Sequence, residues 1–192
     1  MTEHQNPLLP VVALSGGPRL IADIGATHAR FALETSVGHF EHVQVLPCAD
    51  YAGIVPLIKS YLSQVPNVKI QHAAFAIANP VDGDAVQMTN RDWRFSIESV
   101  RREFGLYTLL IVNDFTALAM ALPQLRSNDI LQIGGEAPVA KSVIGVLGPG
   151  TGLGVSGLIP TADGFVTLGS EGGHVNFAPC DEREYEVLRF AW

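Results

Sequence analysis

Several protein classes are excluded by what this sequence has little of. Only two of its 192 residues are cysteine, Cys48 and Cys180. They are too few for a disulfide framework and lack metal-ligand spacing. Lysine and arginine number 12 against 19 acidic residues, a formal net charge of −7. No basic cluster interrupts that acidity, and VRRE at 100–103 is one turn of an expected helix. Nucleic acid is therefore not an expected partner, because neutralising phosphates needs a basic surface. The apolar run LLPVVAL is only seven residues long, contains Pro10 and follows Glu3. It reads as neither a signal peptide nor a membrane span. The expectation is a reduced, cytoplasmic protein that needs no membrane. What is present is 47% hydrophobic residues and a mean hydropathy of +0.24, the composition of a folded chain of one or two domains.

The pattern along the chain is mixed α/β. Residues 1–17 read as a tail. After PRLIADIG, the stretches RFALET (30–35) and HFEHVQVLP (39–47) alternate as successive antiparallel strands do. Ile54, Ile58, Tyr61, Leu62 and Val65 share one helical face, and Pro56 is expected to delay or kink that helix. KIQHAAFAIA (69–78) reads as a buried strand. Ser96 is placed to cap a helix with Ile97, Val100 and Phe104 inward, ending at Gly105. YTLLIV (107–112) is a second buried strand, and TALAMAL a helix stopped by Pro123. KSVIGVL and GVSGLIP, joined by a glycine-dense turn, suggest a hairpin. CDEREYEVLRFAW has Tyr185, Leu188 and Trp192 at helical spacing and reads as a helix cut off after it has begun. The expected division is a small α/β domain over 18–123 and the beginning of a larger one over 124–192. About 70 residues are few for an independent core, so the chain reads as incomplete.

Candidate chemistry gathers in stretches that combine glycine, hydroxyl and acidic groups. In DIGATHAR (23–30), Asp23 closes an apolar strand, Gly25 permits a tight turn, and Thr27 offers a hydroxyl beside backbone N–H groups. Such a turn can wrap phosphate oxygens with a carboxylate near their metal, or it can be an ordinary hairpin turn. In GPGTGLG (148–154), Gly150, Thr151 and Gly152 let backbone approach a ligand closely. In VNDF, Asp114 can cap a helix or act as a general base at the carboxyl end of a strand. In GSEGGHVNFAP (169–179), Glu171 and His174 flank two glycines and can converge on a small polyol, although a hydrogen-bonded interior histidine is as plain a reading. Two look-alikes are set aside. Gly152, Gly154 and Gly157 match a dinucleotide pattern with no helix behind it, and GEAPVAKS has Ala140 where a phosphate-binding loop needs glycine. His39 and His42, on one strand, are expected to face opposite ways, which makes a metal pair improbable.

Taken in order, DIGATHAR, MTNRDW, VNDF, GPGTGLG and SEGGHVNFAP resemble the bacterial glucokinase family, ATP-dependent hexose kinases of the actin-like, ribonuclease-H-like ATPase superfamily. The likeness runs from about residue 19 to the end. It implies a ribonuclease-H-like mixed sheet with flanking helices, followed by the start of a second α/β domain. It also implies phosphoryl transfer from ATP, with Mg²⁺, to the 6-hydroxyl of glucose or a related hexose. On the family pattern Asp114 is the base. Asn113, Glu171 and His174 hold sugar hydroxyls, and Thr89 and Asn90 lie in a segment that helps to cover the sugar. Asp23, Gly25 and Thr27 face Mg²⁺ and the transferring phosphate, Asp23 directly or through water. Gly150, Thr151 and Gly152 face the phosphates from the other domain. A homodimer is admitted for a full-length form.

The sequence departs from the family's D-x-G-G-T-N-x-R at Ala26 and His28. A methyl at Ala26 is expected to crowd the phosphate or forbid a positive φ angle. Family members also continue well past Trp192, through a further sugar-binding glutamate, the adenine pocket and a last helix. Weak sugar binding and little turnover are expected of these 192 residues alone. Two other readings compete: a non-catalytic sugar-binding or regulatory protein with the kinase fold, and an actin-like ATPase domain with a protein partner. The second leaves Asn113, Glu171 and His174 without a common purpose.

Overall fold

Strand alternation builds the first sheet. A computed structural model describes residues 17–65, 68–89, 91–137, 139–149 and 152–192. The expected tail through residue 16, and the candidates Asn90, Gly150 and Thr151, lie outside the described residues. Strand β1 (Arg19–Ile24) buries Leu20, Ala22 and Ile24 on one face and turns Arg19, Ile21 and Asp23 to the other. β2 (His28–Ser36) does the same with Ala29, Phe31 and Leu33. β3 (His39–Pro47), β4 (His72–Ile77) and β7 (Thr108–Asn113) complete five strands in the order β3-β2-β1-β4-β7. The first three pair antiparallel, and β4 and β7 run parallel to β1. This is the mixed sheet with flanking helices expected of a ribonuclease-H-like fold.

Helix α1 (Ile54–Leu62) joins β3 to β4 and buries Ile54, Leu57, Ile58 and Tyr61. Pro56 falls in its first turn, where a missing N–H forfeits no intrahelical bond, so the helix runs through it without the expected delay. The Tyr61 ring stacks on Phe31 at 4.9 Å, and Phe31 meets Phe75 edge-on at 6.3 Å. Burial pushes the Tyr61 phenol up to about 12, and its hydroxyl donates to the His42 carbonyl at 3.0 Å. Helix α2 (Ile97–Glu103) starts where Ser96 Oγ accepts from the Ser99 N–H. It ends at Gly105, which has a φ of +61°. Gly105 N–H donates to Arg102 O and Leu106 N–H to Arg101 O, the paired bonds that close a helix over a left-handed residue.

Two features depart from the sequence expectation. A two-stranded ribbon, β5 (Ala85–Gln87) with β6 (Arg94–Ser96), occupies the connection between β4 and α2. Its strands are three residues each, too short for periodicity to declare them. β7 is a sheet edge with only its inner face covered: Ile111 is buried while Leu110 stands half exposed. The expected buried strand is thus buried on one side only.

The chain divides into two compact units, the first ending at Ala117 and the second starting at Leu118, within helix α3 (Asp114–Ala121). The second unit carries an antiparallel sheet in the order β10-β9-β8, from β8 (Ile144–Pro149), β9 (Leu153–Thr161) and β10 (Gly164–Ser170). The β8–β9 hairpin matches the expectation, and β10 adds a second hairpin. Both look-alike motifs meet strands rather than helices, β9 after Gly152 and β8 after Lys141. Helix α4 (Glu182–Ala191) begins where Asp181 accepts from the Glu184 N–H, and none of its residues is buried.

Candidate active site

The parallel strands of the first unit stop level with one another. Ile24, Ile77 and Asn113 are register partners across β1, β4 and β7. The chain leaves these ends at Gly25, Ala78 and Asp114, the side of an α/β sheet where ligands bind. Ala78 N–H donates to Ile24 O at 3.1 Å and pins two of the exits together.

At the third exit Asn113, rather than Asp114, supplies most of the helix cap. Its Oδ1 accepts from the N–H groups of Phe115 at 3.0 Å and Thr116 at 3.1 Å. Its Nδ2 donates to Asp114 Oδ1 at 3.0 Å and to Asn79 O at 3.4 Å. Asp114 Oδ1 accepts a further bond from the Phe115 N–H at 2.9 Å. Asp114 Oδ2 has no hydrogen bond among the described residues, so one oxygen of a fixed carboxylate is left to meet a ligand. Burial holds the Asp114 carboxyl above the usual aspartate range against the Phe115 N–H, which favours the charged form; the Asp23 charge pushes in the same direction as burial. Two carboxylates that feel one another at strand ends are a common arrangement for acid–base work.

Asp23 is half exposed and paired with its register partner Arg30, Nη1 to Oδ2 at 2.9 Å. The turn that follows closes through Gly25 N–H to His28 O at 2.9 Å and leaves Thr27 exposed. Ala26 does not take a positive φ; the described non-glycine residues that do are His42 and Lys141. Forbidding a positive φ at Ala26 therefore costs this turn nothing, because it is built without a left-handed residue there. The Ala26 carbonyl instead accepts from Arg91 Nε at 2.9 Å and Nη2 at 2.7 Å. Thr89 is exposed, and its N–H donates to Asn79 Oδ1 at 2.8 Å.

The second unit carries its own candidates. Glu171 and His174 flank a single 3-10 turn, Gly172–His174, with His174 Nδ1 3.6 Å from Glu171 Oε2. Both side chains are largely exposed, so the interior-histidine reading of His174 is overturned. Gly173 is obligatory in this turn, since a Cβ there would lie 1.8 Å from the Leu153 carbonyl oxygen. Gly152 has open space on its Cβ side.

Sequence reading missed Asn79 and Arg91. Asn79 is buried, donates to Pro80 O, and links the β4 exit to both Thr89 and Asn113. Arg91 sits inside the quoted MTNRDW, but its acceptor is 65 positions away, which local spacing cannot reveal. For a cation the chemistry of the donors fits. Asp23 offers a half-exposed carboxylate at a strand end, and no group of three or more metal-ligating side chains occurs among the described residues. A single carboxylate of this kind is compatible with a Mg²⁺ ion that keeps waters and shares its shell with phosphates.

Comparison with known proteins agrees with these motifs. The glucokinase family profile matches residues 20–192. A bifunctional protein glk of Paraburkholderia xenovorans is 62% identical over 175 residues, covering 91% of this chain and 27% of the relative. A glucokinase of Neisseria meningitidis serogroup C is 51% identical over 177 residues, 92% of this chain and 54% of the relative. The crystal structure of a glucokinase from an Antarctic psychrotroph superposes with a TM-score of 0.78 at 36% identity, covering 91% of this chain and 56% of that one. The chain thus spans between about a quarter and somewhat over half the length of these relatives. With its mixed sheet, its ordered motifs and a profile match over nearly its whole length, the chain belongs to the glucokinase family.

Proposed function

We propose that this chain serves ATP-dependent phosphorylation of glucose, or a related hexose, at its 6-hydroxyl, with Asp114 as the general base. The observation that carries the proposal is Asp114 itself. It is half-buried at the carboxyl end of β7, held through Oδ1 by Asn113 and Phe115, and open at Oδ2. A carboxyl that burial holds above its ordinary range is a better proton acceptor than a free aspartate. Asp114 Oδ2 orients the sugar O6–H and takes its proton as O6 bonds to the γ-phosphorus. The bond from that phosphorus to the β–γ bridging oxygen breaks, and ADP leaves with the electron pair.

Asn113 meets the sugar through its amide nitrogen by giving up the long 3.4 Å bond to Asn79 O, while its Oδ1 caps α3. Thr89 and Asn90 border the sugar, and Glu171 and His174 hydrogen-bond its other hydroxyls, which suits an uncharged polyol. Asp23, Gly25 and Thr27 face the transferring phosphate, and Gly150, Thr151 and Gly152 supply backbone donors to the nucleotide. Mg²⁺ would be held at Asp23, directly or through water, and would neutralise charge on the β- and γ-phosphates.

The test is a glucose- and ATP-dependent coupled assay with Asp114→Asn in the same chain. Turnover is expected to fall by about 10²–10⁴-fold, the usual contribution of a positioned base. Calorimetry should find glucose affinity changed no more than a few-fold. Undiminished turnover in Asp114→Asn would refute the assignment.

A further inference from the structure

Arg91 extends from the loop between β5 and β6 to the turn between β1 and β2, and sets two N–H donors on one carbonyl, Ala26 O. The guanidinium also lies 5.6 Å from the centre of the Trp93 ring, a buried side chain that anchors the loop. A second bond fixes the same segment from its other end, Thr89 N–H to Asn79 Oδ1, and Asn79 in turn accepts from Asn113. Cys48, buried on the far side of the turn, donates its N–H to Thr27 O.

A trans peptide is planar, so its carbonyl and the following N–H point in opposite directions. Holding Ala26 O therefore also sets the direction of the Thr27 N–H. Two donors converging on one carbonyl hold its direction more firmly than one, because bending or losing either bond leaves the other in place. We propose that Arg91 is a positioning residue: its grip on Ala26 aims the Thr27 N–H at the transferring phosphate and ties the phosphate turn to the sugar-side segment. In this role Arg91 acts through the turn rather than on a substrate. The inference rests on the phosphate role proposed above for Gly25 and Thr27. It also accounts for a turn that works with alanine at position 26, since a side chain from another loop supplies the orientation.

The experiment compares the parent chain with Arg91→Ala and Arg91→Lys by ¹⁵N relaxation, without ligand. In the parent the Thr27 amide should have an order parameter near the rigid value of about 0.85, and in Arg91→Ala one below about 0.6. Arg91→Lys should stay closer to Arg91→Ala than to the parent, as it keeps the charge but loses the fork. The amides of Phe115 and Thr116 should be unchanged, which shows that the sheet and α3 are intact. If Arg91→Ala does not fold, Arg91→Lys carries the same comparison. An unchanged Thr27 in the folded variants overturns the inference. In the coupled assay both variants should raise the KM for ATP by about tenfold and that for glucose less than twofold, the split expected of a phosphate-side positioning residue. A loosened turn with an unchanged KM for ATP also overturns it. Absence of turnover in the parent would accord with the low activity expected of these 192 residues alone, and the relaxation comparison would then decide Arg91 by itself.

Discussion

Through Ile111 the described chain gathers twenty buried hydrophobic residues into one cluster, whereas from Leu118 onward it buries Ala119, Val146 and Leu158. The second unit is nearly as rich in apolar residues. It exposes Leu131 at 83%, Ile133 at 89% and Phe190 at 95%. What differs is the second layer. In the first unit α1 and α2 place Leu57, Ile58, Tyr61 and Val100 against the inner sheet face. In the second, α4 has no buried residue. An apolar strand becomes core only when another element covers it. The candidate sites follow the same contrast: Asp114 is half-buried and bonded on one oxygen, while Glu171 and His174 stand largely in solvent.

The largest expected effect sharpens the contrast. Phe31 is 1% exposed, and Phe31→Ala should cost about 3–5 kcal/mol in urea unfolding, the cost of an aromatic cavity. Leu131→Ala should stay within about 0.5 kcal/mol, because little is lost from an exposed site. Equal losses would mean that the second unit owns a core after all.

Gly173→Ala tests the contrast from the other direction, because it strikes a tightly packed place in the second unit. A methyl 1.8 Å from a backbone oxygen cannot be accommodated without moving β9 or the turn. The overpacking cost is about 1–3 kcal/mol or more. Faster amide exchange along β9 and a shifted His174 ring resonance are the readouts, and unchanged spectra would contradict the geometry.

Capping should erase the contrast. Ser96→Ala and Asp181→Ala each remove one side-chain acceptor from a helix start, and each should cost about 1 kcal/mol irrespective of the unit. Circular dichroism on both variants checks this.

The smallest effect concerns charge. Asp114 has a folded pKa above its unfolded value, so its ionisation opposes folding. The stability it lends is complete below the unfolded value of about 3.9 and is lost as pH rises through the raised folded value. Asp114→Asn should therefore raise the melting temperature at neutral pH by about 2 °C, with the gain vanishing near pH 3. Asp23→Asn should lower the Asp114 pKa seen by carboxyl NMR, since it removes one of the causes that raise it. A carboxyl signal that does not move would separate the two aspartates.

Much of the fold was legible residue by residue. Alternation in RFALET, the Ser96 cap and the Gly105 stop are local signals, and the structure has a strand, a helix start and a helix end at them. The candidate residues Asp23, Asn113 and Asp114 were visible for the same reason, as polar residues that end apolar strands. Other features were decided only by tertiary structure. Asn113 takes the cap while Asp114 keeps an open oxygen, because both must share one helix start beside Asn79. Asp114 titrates high because burial, with the charge of Asp23 added, withholds the ionised form. Arg91 finds Ala26 because the sheet order places β1 beside β4, bringing residues 65 positions apart together at one end of the sheet. Periodicity and capping act within a few residues and can be read from sequence. Desolvation, charge pairing and long-range hydrogen bonds depend on which strands become neighbours, and that is settled only when the sheet forms.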